Sequence, residues 1–595
     1  MIKLSDYIFN FIESKNIKHA FMLPGGGAMH LVDSLGKSNL EYICCGHEQA
    51  SAIAAESYGQ HTNDVGVLVV TSGPGATNAI TGVTAGWIDS TPMFILSGQA
   101  KTSDLVGNSG VRQMGSQEVQ IIDMVKPITK YAVQITDASE IKYHLEKAYY
   151  EATNGRMGPV WLDIPLDIQG TMIEEDNLIG FKQEENRESK KSIKQDVNKT
   201  LHLLEKTKQP LILAGNGIKL ANAEEDFLKF INKVNIPVLT TWKSIDIIEE
   251  EHPLYVGHPG IMGDRGANYI LQSCDLLIIL GSRLDPSITA FNEANFGKNA
   301  KKVMIDIDSN EINKMKMDID VKSICDVKTF IEELNTSIEK LNTNMGIDAE
   351  WLSYCKNIRD RYPVVTELHK NEEKYVSAYS FIDELCKQLT GEDIIVPESS
   401  GGAGEITYQA FRIKKGQKMK NAAGLGSMGF GLPYSIGACV ANDRKRTILI
   451  NGDGAFQLNI QELETVSRLK LPIKMFIWNN NGYASIRSMQ KNLFNENYVG
   501  SSEDSGLTMP DTSKVANAYN IKTYTARTNK EMKNLLPEVL NYDGPVLCEL
   551  IVSPEETISP RVKSVKLENG KMESKPLEDM WPFLSKYEIE NNIKN

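Results

Sequence analysis

The amino-acid sequence predicts an α/β protein made of three doubly wound domains with parallel sheets. Strand-length apolar runs alternate with helical patterns along most of the 595 residues, which is typical of βαβ units. Two polar stretches, 182–195 and the region around 341–374, interrupt this alternation and are predicted to be linkers. We therefore predict domains over residues 1–180, 196–342 and 370–558, followed by a tail over 559–595.

The first and third domains contain the same order of motifs. Each begins with a helical pattern, a strand and a glycine turn, and these turns end at Gly27 and Gly402. Each continues with a strand, a glycine-rich turn and a helix start, in VLVVTSGPGATN and TILINGDGAFQLN. The offsets between corresponding positions are nearly equal, 401 − 25 = 376 and 452 − 73 = 379. Chance similarity between two α/β domains is the alternative, but the matching order and offset favour a duplication.

The segment between the two copies has strand-length apolar runs of its own. They lie at 211–215, 237–241, 276–281 and 303–308. Several such runs with glycines at their ends predict a separate Rossmann-like domain of parallel strands.

Composition narrows the classes of partner. Asp and Glu number 77 against 64 Lys and Arg, so the net charge is −13, which disfavours nucleic acid or an anionic membrane as the main partner. The N-terminus lacks the uninterrupted apolar core of a signal peptide, and the longest apolar runs have only strand length. None of the eight cysteines forms a CxxC pair. These features predict a cytoplasmic protein with reduced, buried thiols.

The strongest local signal is GDGA at 452–455. It places Asp453 at the carboxyl end of a buried strand, where open α/β sheets bind ligands, and the flanking glycines let a phosphate approach the backbone. The next strand ends in NNNG at 479–482, which brings Asn480 to the same edge, 480 − 453 = 27 residues later. A carboxylate, an amide oxygen and a backbone carbonyl suit Mg²⁺. A capping Asp and an Asn-rich loop are the alternative, but the pair at this spacing favours a metal site.

GDG followed at this interval by NN resembles the thiamine diphosphate (ThDP) motif. Other segments support the resemblance in order and over nearly the whole chain: PGG at 24–26, GHEQA at 46–50, TSGPG at 71–75 and GLGSMGFG at 424–431. The chain most resembles the acetolactate synthase-like branch (acetohydroxyacid synthase large subunit) of ThDP-dependent enzymes. This resemblance implies a pyrimidine-binding first domain, a central domain and a diphosphate-binding third domain. It also implies a homodimer or homotetramer with the site between subunits, and a tail that folds over the site.

The resemblance assigns roles to individual residues. Glu48 would be catalytic and would hydrogen-bond to N1′ of the pyrimidine, with Gln117 and Gly26 as further catalytic positions. Met428 would hold the cofactor in its bent conformation, and the Gly426 carbonyl would accept from its 4′-amino group. The diphosphate would be bound by Gly401, Gly402, Gly452, Gly454, Ala455 and Asn480, and Mg²⁺ by Asp453, Asn480 and Gly482. Without the resemblance, Glu48 would be a carboxylate serving a helix dipole, and Met428 a core residue.

Three segments of the central domain resemble those that hold FAD in acetolactate synthases. They are AGNG at 214–217, GSRLD at 281–285 and IDID at 305–308. The resemblance implies that Gly215, Gly217, Arg283 and Asp306 contact FAD. Related enzymes keep this domain empty or fill it with another nucleotide, and these outcomes stay open.

Two departures from the pattern concern the acceptor half of the site. Acetolactate synthases carry an Arg that grips the carboxylate of the second oxo acid, and Ser287 stands at that position here. They also carry a Trp beyond the NN motif, and Met489 stands at that position. Arg487 on the same loop is the replacement cation we consider. Both departures favour a neutral carbonyl acceptor, such as an aldehyde or a keto-sugar.

We therefore predict a ThDP- and Mg²⁺-dependent enzyme that decarboxylates a 2-oxo acid, with pyruvate as the expected donor. The two-carbon unit would then be joined to a carbonyl acceptor. One alternative is a true acetolactate synthase, which joins two pyruvates. Another is a simple 2-oxo acid decarboxylase or oxidase. A catalytically idle nucleotide-binding protein is the third, and the intact Glu48, Asp453 and Asn480 argue against it.

Overall fold

Three separate parallel sheets organise the chain and confirm the predicted fold class. They are seen in a computed structural model, and each has helices on its faces, as expected for strands that are apolar on both sides. The structure describes residues 1–183, 190–341, 349–566, 570 and 572–594.

The first and third sheets have six strands each and the same strand order. Numbered along each domain, the strands lie side by side as second, first, third, fourth, sixth and fifth. In the first sheet these are Glu41–Cys44, His19–Met22, Gly66–Val70, Met93–Gln99, Pro159–Pro165 and Tyr131–Gln134. In the third sheet they are Lys418–Met419, Ile394–Pro397, Thr447–Gly452, Ile473–Asn479, Val546–Ile551 and Lys522–Ala526. This identity of order supports the duplication predicted from the motifs.

The central sheet has five parallel strands. Their spatial order is Val238–Thr240, Pro210–Ala214, Leu276–Leu280, Lys301–Asp306 and Val321–Ile324. The central strands are buried along their whole length, because helices cover both faces.

The longer helices lie before, between and after the strands of each domain. Those of the first domain include Leu4–Ser14, Met29–Lys37, Glu48–Thr62, Pro74–Asp89 and Ile141–Thr153. Those of the central domain include Lys190–Leu204, Glu224–Val234, Arg265–Ser273, Val327–Leu341 and Ala349–Arg361. Those of the third domain include Ala378–Gln388, Gly402–Ala410, Gly431–Ala441, Ala484–Leu493 and Asn529–Asn541.

The first and third domains pack against each other through two helices. Helix Glu48–Thr62 lies directly on helix Gly431–Ala441, so closely that a Cβ on Gly437 would be 2.1 Å from the Ala54 carbonyl oxygen. The Ser57 hydroxyl donates to the Tyr434 carbonyl across this contact, at 2.7 Å. Only glycine permits this approach, so Gly437 sets the spacing of the two domains.

All three domains meet at the ammonium group of Lys243. This central-domain side chain donates to Gln60 Oε1 at 2.8 Å and to Asp89 Oδ2 at 3.0 Å, both in the first domain, and to the Asn421 carbonyl of the third at 2.6 Å. Glu56 lies beside this cluster, and burial raises its pKa to about 7. The junction is therefore a buried charged cluster rather than a purely apolar contact.

The prediction of two linkers is partly wrong. Residues 190–195 begin helix Lys190–Leu204, whereas 184–189 lie outside the described residues. Helix Ala349–Arg361 occupies the second predicted linker and packs on helix Arg265–Ser273. Its apolar face is narrow, with only Trp351, Cys355 and Ile358 buried, so the surrounding charges hid the helical period. The central domain therefore extends past residue 342.

The tail binds mainly the central domain. The Val562 amide donates to the Ile261 carbonyl at 2.7 Å, and Gln272 Nε2 donates to Glu578 Oε2 at 2.6 Å. Arg265 donates to the carbonyl of Pro582, also at 2.7 Å. Two of these contacts lie on helix Arg265–Ser273 and one on the loop before it, and the folding of the tail over the site stays a prediction.

All eight cysteines are free, as predicted, and all but Cys44 are buried. Among the described residues, no helix combines the length and the apolar composition needed to cross a bilayer.

Candidate active site

Asp453 follows strand Thr447–Gly452 and begins a short helix, as the sequence predicts. Its side chain is buried, with Oδ2 accepting from the Gly482 amide at 2.9 Å. Oδ1 is buried and has no hydrogen-bond partner among the described residues. Burial raises the pKa of Asp453 to about 6. The carboxylate therefore needs a compensating charge that no described residue provides in direct contact.

The neighbouring strand end brings a second unsatisfied oxygen. Asn480 follows strand Ile473–Asn479, and its Oδ1 is also buried, with no hydrogen-bond partner in the part of the chain that the structure describes. The loop is fixed from outside by Arg487, which donates to the carbonyls of Asn480 at 2.6 Å, Asn481 at 2.8 Å and Ser501 at 2.9 Å. Two orphaned oxygens on adjacent strand ends fit a hard cation such as Mg²⁺. Arg487 is committed to this loop, which argues against our sequence-based idea that it replaces the missing acceptor Arg.

Glycines leave open space beside this metal position. A Cβ on Gly452 would meet nothing within 4 Å, and the nearest atoms to one on Gly401 or Gly402 would be 3.6 and 3.8 Å away. Gly401 has φ +73°, which favours glycine, and it precedes the N-terminus of helix Gly402–Ala410. Gly454 differs, because a Cβ there would lie 2.5 Å from the Tyr483 ring. The cradle suits a diphosphate held by backbone amides at a helix N-terminus.

Hydrogen bonds to Glu398 hold the end of the loop that carries Met428. Met428 is 39% exposed, so it is available to a ligand and is not a core residue. Glu398 Oε2 accepts from the Gly431 amide at 3.1 Å, and Oε1 accepts from the Ser399 amide at 2.8 Å. Glu398 therefore connects the Met428 loop to the diphosphate loop, a role that the sequence did not reveal.

Glu48 is the first residue of helix Glu48–Thr62. His47 caps that helix, since its ring nitrogen accepts from the Gln49 amide at 3.1 Å. The Glu48 carboxylate accepts from Asn78 Nδ2 at 3.0 Å and is buried. Within the described residues, no hydrogen bond or ion pair joins Glu48 to Asp453. The two predicted halves of the site thus lie on different domains, the first and the third, without a direct bond between these two carboxylates.

The glycine turn at residues 25–27 is tightly packed at two of its three positions. A Cβ on Gly25 would lie 2.5 Å from Thr71, and one on Gly27 would lie 2.3 Å from the Ser72 hydroxyl. Gly26 is exposed, and a Cβ there would meet nothing within 4 Å. Gly26 is therefore the position that can face a ligand.

Gln117 lies on an exposed loop ordered by its neighbour. Its φ of +58° is left-handed, and its carbonyl fills the space beside Gly73, where a Cβ would approach to 2.3 Å. The buried Glu118 carboxylate accepts from the amides of Met114 and Gly115, both at 3.0 Å. The loop thus presents Gln117 next to the TSGPG turn, and its catalytic role stays a prediction.

Gly217, Arg283 and Asp306 line one cavity of about 310 Å³ between the first and central domains. Gly215 does not line it. A Cβ there would lie 2.2 Å from the Gly281 carbonyl oxygen, so Gly215 permits close packing instead. Arg156, which the sequence analysis missed, also lines the cavity and pairs with Asp308 at 2.9 Å. Together, the glycine, the guanidinium groups of Arg156 and Arg283 and the carboxylate of Asp306 fit a nucleotide.

A second cavity of about 530 Å³ begins at Lys243 and Arg283 and reaches the diphosphate-binding domain. Ser287 lines it together with Ser400 and Gly426. Ser287 is exposed, and its amide donates to Asp285 Oδ1 at 2.9 Å. Met489 is also exposed, on helix Ala484–Leu493. Ser287, which we predict to stand at the position of the acceptor Arg, therefore lines the same cavity as Gly426, a predicted ThDP-binding position.

Comparison with known proteins agrees with this arrangement domain by domain. Residues 2–124 match the N-terminal TPP binding domain of thiamine pyrophosphate enzymes, where thiamine pyrophosphate is another name for ThDP. Residues 197–334 match the central domain, and residues 400–550 match the C-terminal TPP binding domain. The chain belongs to the thiamine pyrophosphate enzyme family.

Relatives within this family cover nearly the whole chain. A probable acetolactate synthase large subunit of Methanococcus aeolicus is 33% identical over 94% of this chain and 93% of its own. The acetolactate synthase large subunit of Lactococcus lactis is 30% identical over 94% of each chain. Acetolactate synthase isozyme 2 large subunit of Escherichia coli is 29% identical over 94% of this chain and 97% of its own. The predicted family and branch are therefore confirmed.

Proposed function

We propose that this enzyme uses ThDP and Mg²⁺ to decarboxylate a 2-oxo acid, with pyruvate as the expected donor, and joins the two-carbon unit to a neutral carbonyl acceptor. The observation that carries the cofactor assignment is the pair of buried, unpartnered oxygens on Asp453 and Asn480 beside an open glycine cradle. When bound, ThDP supplies the carbon nucleophile and accepts the electron pair released with CO₂.

The residues of this chain then have distinct tasks. Asp453 and Asn480, with the Gly482 carbonyl, would hold Mg²⁺ against the diphosphate, and Arg487 keeps their loop in place. Met428 would support the bent cofactor. Glu48 would exchange a proton with the pyrimidine ring nitrogen, and Asn78 orients its carboxylate. Gly26 and Gln117 would border the reacting end.

The acceptor proposal rests on the wall of the second cavity. Desolvating the carboxylate of an oxo-acid acceptor is costly unless a cation meets it. Ser287 provides no charge, Lys243 already has three partners, and Arg283 also lines the nucleotide cavity, to which we assign it. These observations favour an uncharged aldehyde or ketone as acceptor.

A true acetolactate synthase is the second candidate, and two observations favour it. The relatives named above are acetolactate synthases, and Arg283 lines the same cavity with no hydrogen-bond or ion-pair partner among the described residues. In that case Arg283 would bind the carboxylate of the second pyruvate, and Arg283→Ala would raise the KM for the acceptor.

Labelled pyruvate decides between the candidates. The products formed from pyruvate alone, and with a panel of uncharged carbonyl compounds, are quantified by mass spectrometry at equal pyruvate. We expect slow acetolactate formation and a gain of roughly tenfold or more with a suitable neutral acceptor, the scale of one well-placed contact. Fast acetolactate formation with no gain from any neutral acceptor would establish the second candidate instead.

The remaining parts of the proposal concern the nucleotide, the assembly and the location. We propose FAD for the cavity lined by Gly217, Arg283 and Asp306, to be tested by releasing and identifying any nucleotide from the purified protein. We propose a homodimer or homotetramer, because Glu48 and Asp453 lie on different domains and share no direct bond among the described residues. A cytoplasmic location, without nucleic-acid partners, remains part of the same proposal.

A further inference from the structure

Residues 459–468 of the third domain hydrogen-bond to the turn that carries Glu48. The Arg468 guanidinium donates to the Cys44 carbonyl at 2.6 Å, and Asn459 Nδ2 donates to Gln49 Oε1 at 3.2 Å. Between them, both carboxylate oxygens of Glu462 accept from the Gly46 amide, at 3.0 and 3.1 Å. The whole turn from the strand end to the helix start is thereby held by another domain of the same chain.

Glu462 is fully buried, and both of its carboxylate oxygens accept hydrogen bonds. Besides the Gly46 amide, it accepts from the Thr465 hydroxyl at 2.8 Å and from Gln461 Nε2 at 3.3 Å. A Cβ on Gly46 would lie 3.2 Å from Glu462 Oε1, so the two residues are in close contact. A buried carboxylate with this many donors fixes the position of the group it binds.

We propose that Glu462 is a positioning residue that sets the location of Glu48 through the Gly46 amide. This inference rests on the proposed function, in which Glu48 acts on the cofactor. Glu462 lies 462 − 453 = 9 residues after Asp453, at the end of the second of three consecutive short helices, the first of which begins with Asp453. The same short segment therefore carries a metal-site residue at one end and orients a proton-transfer residue at the other.

The test compares Glu462→Gln with a matched control, Glu556→Gln. Glu556 is a half-buried carboxylate of the same domain that accepts from the Ala378 amide at 2.9 Å, far from the turn in sequence. A glutamine at 462 offers one acceptor oxygen, whereas the three donors now share two. We expect kcat to fall roughly tenfold or more, while the KM for the oxo acid and the affinity for ThDP change less than about threefold. Glu556→Gln should leave kcat unchanged.

Two further readouts separate positioning from general damage. Hydrogen exchange of residues 44–49 in the cofactor-free protein should be faster in Glu462→Gln than in the wild type or in Glu556→Gln. The double variant Glu48→Gln/Glu462→Gln should be no slower than Glu48→Gln alone, because both changes act through one group. If Glu462→Gln does not fold, Gly46→Ala tests the same contact from the other side.

Unchanged exchange and unchanged kcat in Glu462→Gln, or an additive loss in the double variant, would overturn the inference. Failure of the proposed function looks different. In that case Glu48→Gln itself would turn over 2-oxo acid at the wild-type rate, whatever the exchange at residues 44–49.

Discussion

The Asp453 carboxylate has one oxygen satisfied by a backbone amide and one facing no partner. We expect Asp453→Ala to fold but to lose both Mg²⁺ and ThDP, because the diphosphate then lacks its counter-ion. Metal analysis and titration calorimetry with ThDP measure this directly, with the exposed Asp504→Ala as control. Stoichiometric ThDP in the purified Asp453→Ala protein would falsify the metal assignment.

At the same scale, Glu56 predicts a pH dependence of stability. Burial raises its pKa from 4.5 to about 7, so between these values the folded chain holds a proton that the unfolded chain releases. Stability from this group therefore falls as the pH rises from 4.5 to 7. Glu56→Gln keeps an acceptor for Thr91 and Gln60 and has no charge to bury. Lys243 and Asp89 also face Glu56, and their charges act on it in opposite directions.

We expect Glu56→Gln to be more stable than the wild type at pH 8, by on the order of 1–3 kcal/mol, and equal to it near pH 4.5. Denaturant unfolding at a series of pH values measures the difference, and the exposed Glu503→Gln should show none. A constant difference at every pH would mean that titration of Glu56 is not its cause.

Residues in local motifs could be predicted from the sequence, whereas residues that act across domains could not. Glu48, Asp453 and Asn480 each lie in a short run with its own turn or helix start. Glu462 and Lys243 act on groups 416 and 154 residues away. Such partners leave no periodicity or spacing in the chain, because the fold alone brings them together.

At the scale of elements, helix Ala349–Arg361 illustrates how a folded segment escaped prediction. Trp351 is fully buried, and its Nε1 donates to the Pro210 carbonyl of the central sheet at 2.8 Å. We expect Trp351→Ala to destabilise the protein by about 3–5 kcal/mol, the usual cost of such a cavity. Lys356→Ala, on the exposed face of the same helix, is the control. A melting temperature equal to the control's would restore the linker interpretation.

The strands were predicted more reliably than the segments between domains. The central strands of all three sheets are buried and form short, continuous apolar runs, so they stand out in the sequence, whereas more exposed strands such as Tyr131–Gln134 and Lys522–Ala526 do not. The duplication was also visible, since the motif offsets of 376 and 379 residues correspond to the same strand order in both sheets. The packing of the two copies on each other through Gly437 was not visible, because it depends on backbone contact between helices.

At the scale of the whole molecule, the separation of Glu48 from Asp453 predicts complementation between inactive variants. If each site combines Glu48 of one subunit with Asp453 of the other, a mixed dimer of Glu48→Gln and Asp453→Ala chains contains one intact site. Random pairing on co-expression should restore about a quarter of the wild-type activity. The two variants purified apart should stay inactive when they are assayed without subunit exchange. No recovery on co-expression would place the site within one chain.

The junction at Lys243 has a consequence for how such enzymes can diverge. Its ammonium group compensates a first-domain carboxylate and caps a third-domain carbonyl, so no single domain contains the complete arrangement. A central domain exchanged for that of a relative would leave Asp89 buried and uncompensated unless it brought its own cation to that point. Inheritance of this domain is thereby tied to that of its two neighbours. Recombination at domain boundaries should be tolerated only when residue 243 and its acceptors come from the same parent protein.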